Sequence, residues 1–408
     1  MNIPTLAEVE EAAAALHGVV VTTPFEASEY LSDELGAPVF LKLENLQRTG
    51  SFKIRGATYR LSKLTAEERS RGVVAASAGN HAQGVALAAQ KLGISATIFM
   101  PLGVPVPKLL ATRGYGAEVV LEGATVETPL RLAAEFAERT GAVLIHPYDH
   151  RDVILGQGTL GLEIADALPD VDTVVVGIGG GGLIAGVSAA VKARAAAAGR
   201  TVRVIGVQAE NSAAYPASLA AGEPLTVRTT PTIADGIAVA RPGDLPFEVI
   251  RDLVDEVVTV SDDDIARALL VLLERAKQVV EPAGAVGVAA ILAGKVTAAG
   301  PTAVILSGGN IDPLLLQRVV SHGLAASGRY MTLQIPLPDR PGQLARVSEL
   351  LAIAGANVIE VLHTRHGQGL QISEVILQLS VETRGAEHRA DVIAVLEDAG
   401  FQPRVAQD

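Results

Sequence analysis

The 408-residue chain has no cysteine and no tryptophan, and aromatic residues make up only 3% of it. Without cysteine there are no disulfides, no zinc–thiolate sites and no thiol nucleophile. That fits a reducing, cytoplasmic setting. Positive charge is also scarce. Lys and Arg number 33 against 45 Asp and Glu, a formal net charge of −12, which argues against a nucleic acid or an anionic membrane as partner. No uncharged apolar run is long enough to span a bilayer. The Ala-rich "ARAAAAG" has basic residues before and after it. The N-terminal "MNIPTLAEVEEAAAALHG" lacks a basic leader and reads as an amphipathic helix, not as a signal peptide.

What is plentiful is apolar surface. Hydrophobic residues are 49% of the chain, enough for large cores, and the length implies two or three domains. From about residue 37 to 308, short apolar runs alternate with helical periodicity. "VVAAS", "SATIFM", "AEVVLE", "AVLIHP", "TVVVGIG", "VRVIGVQ" and "TAVILSGG" read as buried strands. "IRGATYRLSKL", "HAQGVALAAQKLG", "VETPLRLAAEFAERTG" and "IARALLVLLERAKQVV" read as helices, with Gly93 and Gly141 at C-caps and a capping box in "TAEE" at 65–68. Such alternation predicts parallel sheets covered by helices, with ligands at the C-terminal strand ends. After residue 310 the pattern changes. Residues 311–329 read as a helix and linker, and the remainder as a βαββα unit. The expected division is 1–322 and 330–408, with a small subdomain over roughly 54–150 inside the first part.

Four loops at predicted strand ends carry the chemistry. Lys53 in "SFKIRGA" precedes a helix. An ordinary surface lysine is one reading, an imine-forming amine the other. "ASAGNHAQG" at 76–84 places Ser77, Gly79 and Asn80 at a helix N-terminus, as a plain cap or as an anion cradle. "GIGGGGLIAG" at 177–186 offers backbone amides to a phosphate. Gly177, Gly179 and Gly182 also satisfy the dinucleotide pattern, but the first acidic residue of the required kind, Glu210, comes 210 − 182 = 28 positions later, against about 20 in that fingerprint. "SGGN" at 307–310 adds a neutral hydroxyl, Ser307, in what is otherwise ordinary turn chemistry. Together the loops supply an amine, an anion cradle, a phosphate cradle and a hydroxyl. Pyridoxal 5′-phosphate, an electron sink for amino-acid carbanions, needs that set. "HPYDHRD" at 146–152 reads as a polar loop, Tyr115 as packing, and "AEERSRG" at 66–72 as a solvated helix end.

These motifs, with "GQGT" at 156–159, "TIADGIAV" at 232–239 and "EPAGAVG" at 281–287, run in an order that resembles the serine/threonine dehydratase family. Its members are fold-type II pyridoxal-phosphate enzymes and include the threonine ammonia-lyases, with serine racemase as a near cousin. The tail, with "DRPGQL" and "AGANVIEV", resembles a single ACT regulatory domain. The resemblance implies an α/β catalytic part of two parallel-sheet subdomains in three αβα layers, followed by a βαββα ACT-like α+β domain. It implies that Lys53 holds the cofactor as a Schiff base and moves the α-proton. Phe52 and Gly236 would face the two sides of the ring, and Asn80 its hydroxyl. Gly179, Gly180, Gly181, Gly182 and Leu183 would bind the phosphate, and Ser307 would meet the ring nitrogen. Ser77 would grip the substrate carboxylate, with Glu281 nearby.

The implied reaction turns L-threonine, and L-serine, into 2-oxobutanoate or pyruvate and ammonia, in branched-chain amino-acid metabolism such as isoleucine biosynthesis. A serine or 3-hydroxyaspartate dehydratase or racemase is the alternative within the family. An NAD-dependent oxidoreductase and a non-catalytic amino-acid sensor are the readings from other classes. Racemases of the group place a serine where this chain has Ala78, which favours elimination. Relatives bind a divalent cation through residues matching Glu210 and Ala214, but Pro216 stands where the last acid belongs, so no metal is expected. The tail implies a small amino-acid effector, and the assembly a homodimer or homotetramer.

Overall fold

The computed structural model describes residues 3–125, 127–326, 328–365 and 373–406. It divides into two compact units, Met1–Pro313 and Leu314–Asp408.

The first unit is built on two sheets. The larger contains β1 (Phe25–Ala27), β2 (Val39–Lys42), β7 (Thr173–Gly177), β8 (Arg203–Ala209), β9 (Glu256–Val260) and β10 (Thr302–Ile305), in the order β1-β2-β10-β7-β8-β9. Only β1 runs antiparallel to its neighbour. The smaller contains β3 (Val73–Ala76), β4 (Ala96–Met100), β5 (Glu118–Leu121) and β6 (Val143–Leu144), all parallel, in the order β5-β4-β3-β6. The central strands are uninterrupted apolar runs because helices cover both faces. Val174, Val175 and Val176 are completely buried. Each sheet has its own core. One is built around β7, β8 and the Gly182–Ala197 helix, the other around β3, β4 and the Asn80–Leu92 helix.

Local rules place the helix ends. Gly93 and Gly141 end their helices with positive φ, and Thr65 and Glu68 form a reciprocal capping box. Val126, the expected head of the helix now seen over Glu127–Thr140, lies outside the described residues. The expected long helix from Ile265 is instead Asp262–Val271 followed by a π-turn, Leu272–Ala276, closed by Lys277 at φ +57.

The second unit takes up the helix Pro313–Ala326 from Leu314 on, followed by an antiparallel sheet of β11 (Tyr330–Pro338), β12 (Asn357–Thr364), β13 (Glu374–Glu382) and β14 (Arg404–Val405), in the order β12-β13-β11-β14. Met331, Leu333, Ile335 and Leu337 alternate inward along β11 and pack with Val347, Leu351, Val392 and Leu396 from two helices. The short closing strand β14 extends the expected βαββα pattern. Among the described residues no helix is long and apolar enough to cross a membrane.

Candidate active site

Lys53 opens the Lys53–Ser62 helix, and the loop before it is tied to the end of β10. Phe52 N donates to Ser307 O at 3.2 Å, Gly309 N donates to Gly50 O at 2.8 Å, and Ser51 pairs with Gly308. Thr49 sits at φ +67, and its carbonyl accepts from Asn310 Nδ2 at 2.7 Å. A left-handed non-glycine residue held this way is the kind of local strain found at functional sites.

The Lys53 ammonium donates to Pro147 O at 3.0 Å and stands 5.2 Å from the Phe52 ring centre. Burial disfavours its charge and brings its pKa down to about 8, while the Glu281 carboxylate works in the opposite direction. Arg55 takes no part in this. Its side chain turns into the core, with Nε and Nη2 on Glu44 at 2.8 Å each and Nη1 on Glu163 at 2.7 Å. Lys42 reaches the other Glu163 oxygen at 2.7 Å. This buried network anchors the helix that carries Lys53 to β2 and to the Arg151–Ala167 helix.

Three polar side chains from distant segments meet beside it. Asn80 Nδ2 donates to Glu281 Oε1 at 2.6 Å, and Asn310 Nδ2 donates to Asn80 Oδ1 at 2.7 Å. Glu281 is 4% exposed, and burial pushes its pKa up to about 7; Lys108 opposes that shift and Asp235 adds to it. Gly308 lies so close that a side chain there would collide with Glu281. Gly236 lies in the turn Asp235–Ile237, where a Cβ would stand 3.7 Å from Glu281 Oε1. Ser77 does not cap the Asn80–Leu92 helix. Its hydroxyl accepts from Gly79 N at 3.1 Å and closes a turn ahead of it. Gly79 is the cap and brings no side chain to the first amides.

The glycine loop follows β7 and opens the 16-residue helix Gly182–Ala197. Ile178 N bonds to Val207 O, but among the described residues no protein group accepts from the N–H groups of Gly179 to Leu183. The loop is pressed from behind. A Cβ on Gly180 would overlap the Tyr148 ring, and Gly181, at φ +100, leaves no room beside the Tyr215 hydroxyl. Gly180 O accepts from Tyr215 Oη at 3.1 Å and from Gly243 N at 3.1 Å. A turn of unmatched amides at a long helix's N-terminus suits a phosphate. Ser307 is 5% exposed, and no described protein group pairs with its hydroxyl. An amine of reduced pKa, a free amide turn and the unpaired hydroxyl of a mostly buried serine fit a phosphorylated aldehyde with a ring nitrogen.

The structure thus gathers Phe52, Lys53, Asn80, Gly236, Glu281 and Ser307, with the Gly179–Leu183 turn tied to Lys53 through Pro147 and Tyr148. Ser77 joins them at the head of its helix. The loop 146–152 is more than a polar connection. Pro147 holds Lys53, Tyr148 backs the glycines, and Asp149 accepts from Asp244 N and Leu245 N at 3.0 and 2.9 Å. A main-chain carbonyl and a packing ring leave no motif to read, so neither role is legible in the sequence. Asn310 stands in "SGGN" as ordinary turn chemistry, and Lys108 lies in no motif, so neither showed its role in the sequence.

Glu210, the acid that a dinucleotide site would use, is paired with Lys295 at 3.3 Å, and Lys295 also donates to Thr259 O at 2.6 Å. Ala214 is buried and Pro216 exposed nearby. Among the described residues no group of three or more His, Cys, Asp or Glu side chains could hold a metal ion.

Comparison with known proteins agrees with this geometry. Residues 17–308 match the family described as pyridoxal-phosphate dependent enzyme, and residues 331–401 match the ACT domain. The chain is 48% identical to L-threonine ammonia-lyase of Thermotoga maritima, over 98% of this chain and 99% of that protein. It is 46% identical to L-threonine ammonia-lyase of Geobacter sulfurreducens, over 96% and 97%. The solved structure of processed threonine deaminase isoform 2 from Solanum lycopersicum superposes with a TM-score of 0.73 at 38% identity, covering 78% of this chain and 93% of that one.

Proposed function

The chain belongs to the pyridoxal-phosphate dependent enzymes and carries an ACT domain after its enzyme domain, and we propose from this that it is an L-threonine ammonia-lyase. It would remove the β-hydroxyl of L-threonine as water, and the amino group would then leave as ammonia, giving 2-oxobutanoate; L-serine would give pyruvate. The first product is a precursor for branched-chain amino acids, the metabolic setting proposed for the reaction.

Lys53 would hold the cofactor through Nζ, the Gly179–Leu183 amides its phosphate, and Ser307 its ring nitrogen. Phe52 and the backbone at Gly236 would flank the ring, and Asn80 would reach the ring hydroxyl. Bound there, the cofactor supplies an aldehyde for the substrate's nitrogen and a ring that withdraws electrons from its α-carbon. The remaining work falls to the protein. With its pKa near 8, Lys53 has a neutral fraction at physiological pH and can take a proton from the α-carbon. The turn from Ser77 to Asn80 offers helix-terminal amides to the α-carboxylate. Ser307 is a neutral hydroxyl and cannot maintain a full positive charge on its partner as a carboxylate would, which weakens the electron sink and favours loss of the β-group. Ala78 packs into the small-sheet core and carries no proton, so the face opposite Lys53 has no acid there for racemisation.

The observation that carries this reading is Lys53 Nζ, half-buried and, among the described residues, hydrogen-bonded to a main-chain carbonyl alone, in a site that also holds a turn of free amides. Borohydride reduction of the purified enzyme followed by peptide mapping is expected to tag Lys53. Threonine is expected to yield 2-oxobutanoate faster than 3-hydroxyaspartate is consumed. A tag elsewhere, or no keto acid from threonine, overturns the assignment.

A further inference from the structure

One ion pair joins the two sheet halves of the enzyme unit beside the site. Lys108 lies on the Val106–Gly114 helix between β4 and β5 of the small sheet. Asp235 lies in the turn next to Gly236, in the half built on the large sheet. Their Nζ–Oδ2 distance is 3.3 Å, longer than a well-formed charge-assisted bond. The two ends differ in exposure: the Lys108 side chain is 12% accessible and that of Asp235 is 64%. Lys108 therefore points inward and Asp235 outward.

Lys108 also stands over the proposed carboxylate turn. A Cβ on Gly79 would be 3.5 Å from its Nζ, and its three nearest atoms outside the neighbouring residues would all belong to Lys108. Gly79 caps a 13-residue helix whose first amides have no side-chain partner. The ammonium thus has an exposed, weakly held carboxylate on one side and a turn suited to a second carboxylate on the other. Asp235 precedes Gly236, where a Cβ would stand 3.7 Å from Glu281 Oε1, so the pair borders the reacting centre.

We infer that Lys108 and Asp235 form a latch across the site, and that a substrate's α-carboxylate opens it by taking Lys108 as its own counter-ion. This rests on the lyase reading above and deepens it. Lys108 becomes a specificity-determining residue for α-carboxylates, and Asp235 its competitor. Exposed at its Asp235 end and 3.3 Å long, the pair is weak and easily exchanged, whereas a carboxylate held by helix amides and an ammonium in a half-buried cleft is screened less by solvent. When the substrate leaves, Asp235 recovers the lysine.

The test compares Asp235→Asn, Lys108→Met and the double variant as holoenzymes, each checked for cofactor absorbance. Binding of butanoate, a carboxylate without the reactive amine, is followed by titration calorimetry. Asp235→Asn is expected to tighten butanoate at least threefold and to lower KM for threonine. Lys108→Met is expected to weaken butanoate at least tenfold, with the effect on threonine in KM more than in kcat. In the Lys108→Met background the Asp235→Asn gain should vanish. A purely structural pair would shift both variants in the same direction. That result, or no tightening in Asp235→Asn, overturns the latch. Asp235 is exposed, so its variant carries the test even if Lys108→Met fails to fold. Wild-type threonine turnover is read separately. Its absence defeats the lyase reading, while turnover without the opposite-signed butanoate shifts defeats the latch alone.

Discussion

Asn80 and Glu281, 201 residues apart in the chain, share a 2.6 Å hydrogen bond at the centre of the site. The bond stabilises the Glu281 carboxylate, yet burial outweighs it, and the pKa stands at about 7 against an ordinary 4.5. Between those values the folded protein holds a proton that the unfolded chain has released. The contribution of Glu281 to stability therefore falls as pH rises from about 4.5 to 7, by on the order of 3 kcal/mol. Glu281→Gln removes this dependence. Urea unfolding of wild type and variant at pH 5 and pH 7.5 should give a variant that gains relative to wild type at the higher pH. Equal pH slopes would show that Glu281 titrates normally.

The Arg55 network has a measurable stability consequence. Glu44 and Arg55 are fully buried and pair through two hydrogen bonds. Arg55→Met leaves Glu44 charged and buried without its guanidinium, with the Thr23 hydroxyl still donating to it at 2.7 Å, and Glu163 without one of its cations. Removing one member of a buried pair costs about 3–5 kcal/mol. Arg55→Lys should recover little of this, because an ammonium cannot span both carboxylates as the guanidinium does. The readout is the unfolding midpoint. A loss below about 1 kcal/mol would mean that water reaches the network.

Gly180→Ala should damage cofactor affinity without unfolding the chain. The added methyl meets the Tyr148 ring, so either the ring or the amide turn must move. Overpacking of this kind costs about 1–3 kcal/mol, which corresponds to roughly five- to 150-fold in dissociation constant. Tyr148→Ala in the same chain makes room for the methyl and should restore part of the affinity. Cofactor titration by absorbance decides this. An unchanged dissociation constant in Gly180→Ala would remove the turn from the phosphate site.

The ACT domain is expected to transmit a small amino-acid effector to the enzyme unit. Deleting residues 330–408 should leave threonine turnover in place and abolish the response to added isoleucine or valine. A truncated enzyme that responds as the full chain does would remove the regulatory role from the tail.

Much of the architecture was legible because the rules behind it are local. The apolar runs became β3, β4, β7, β8 and β10, since strands buried on both faces must be apolar throughout; the runs at β5 and β6 also formed strands, but as partly exposed edges of the small sheet and not as the buried strands expected. The T-x-x-E spacing at 65–68 and the glycines at 93 and 141 marked helix ends, because caps depend on residues within one turn. β9 was missed because "EVVTV" is half-exposed along most of its length and carries too weak a pattern. The three-residue β1 lies ahead of the alternation that starts near residue 37, and the four-residue β2 at its beginning is too short a run to stand out.

The amino-acid order alone determined which groups are available: a lysine at a helix mouth, a run of glycines after a strand, a serine at another strand's end, and no thiol. Tertiary structure decided which of them meet. It turned Arg55 away from Lys53 and into a charge network, linked Asn310, Asn80 and Glu281, closed Lys108 onto Asp235, and gave Glu210 a lysine partner. Local spacing is set by backbone geometry within a few residues. Burial, and therefore pKa and pairing, depends on segments that only sheet order brings together.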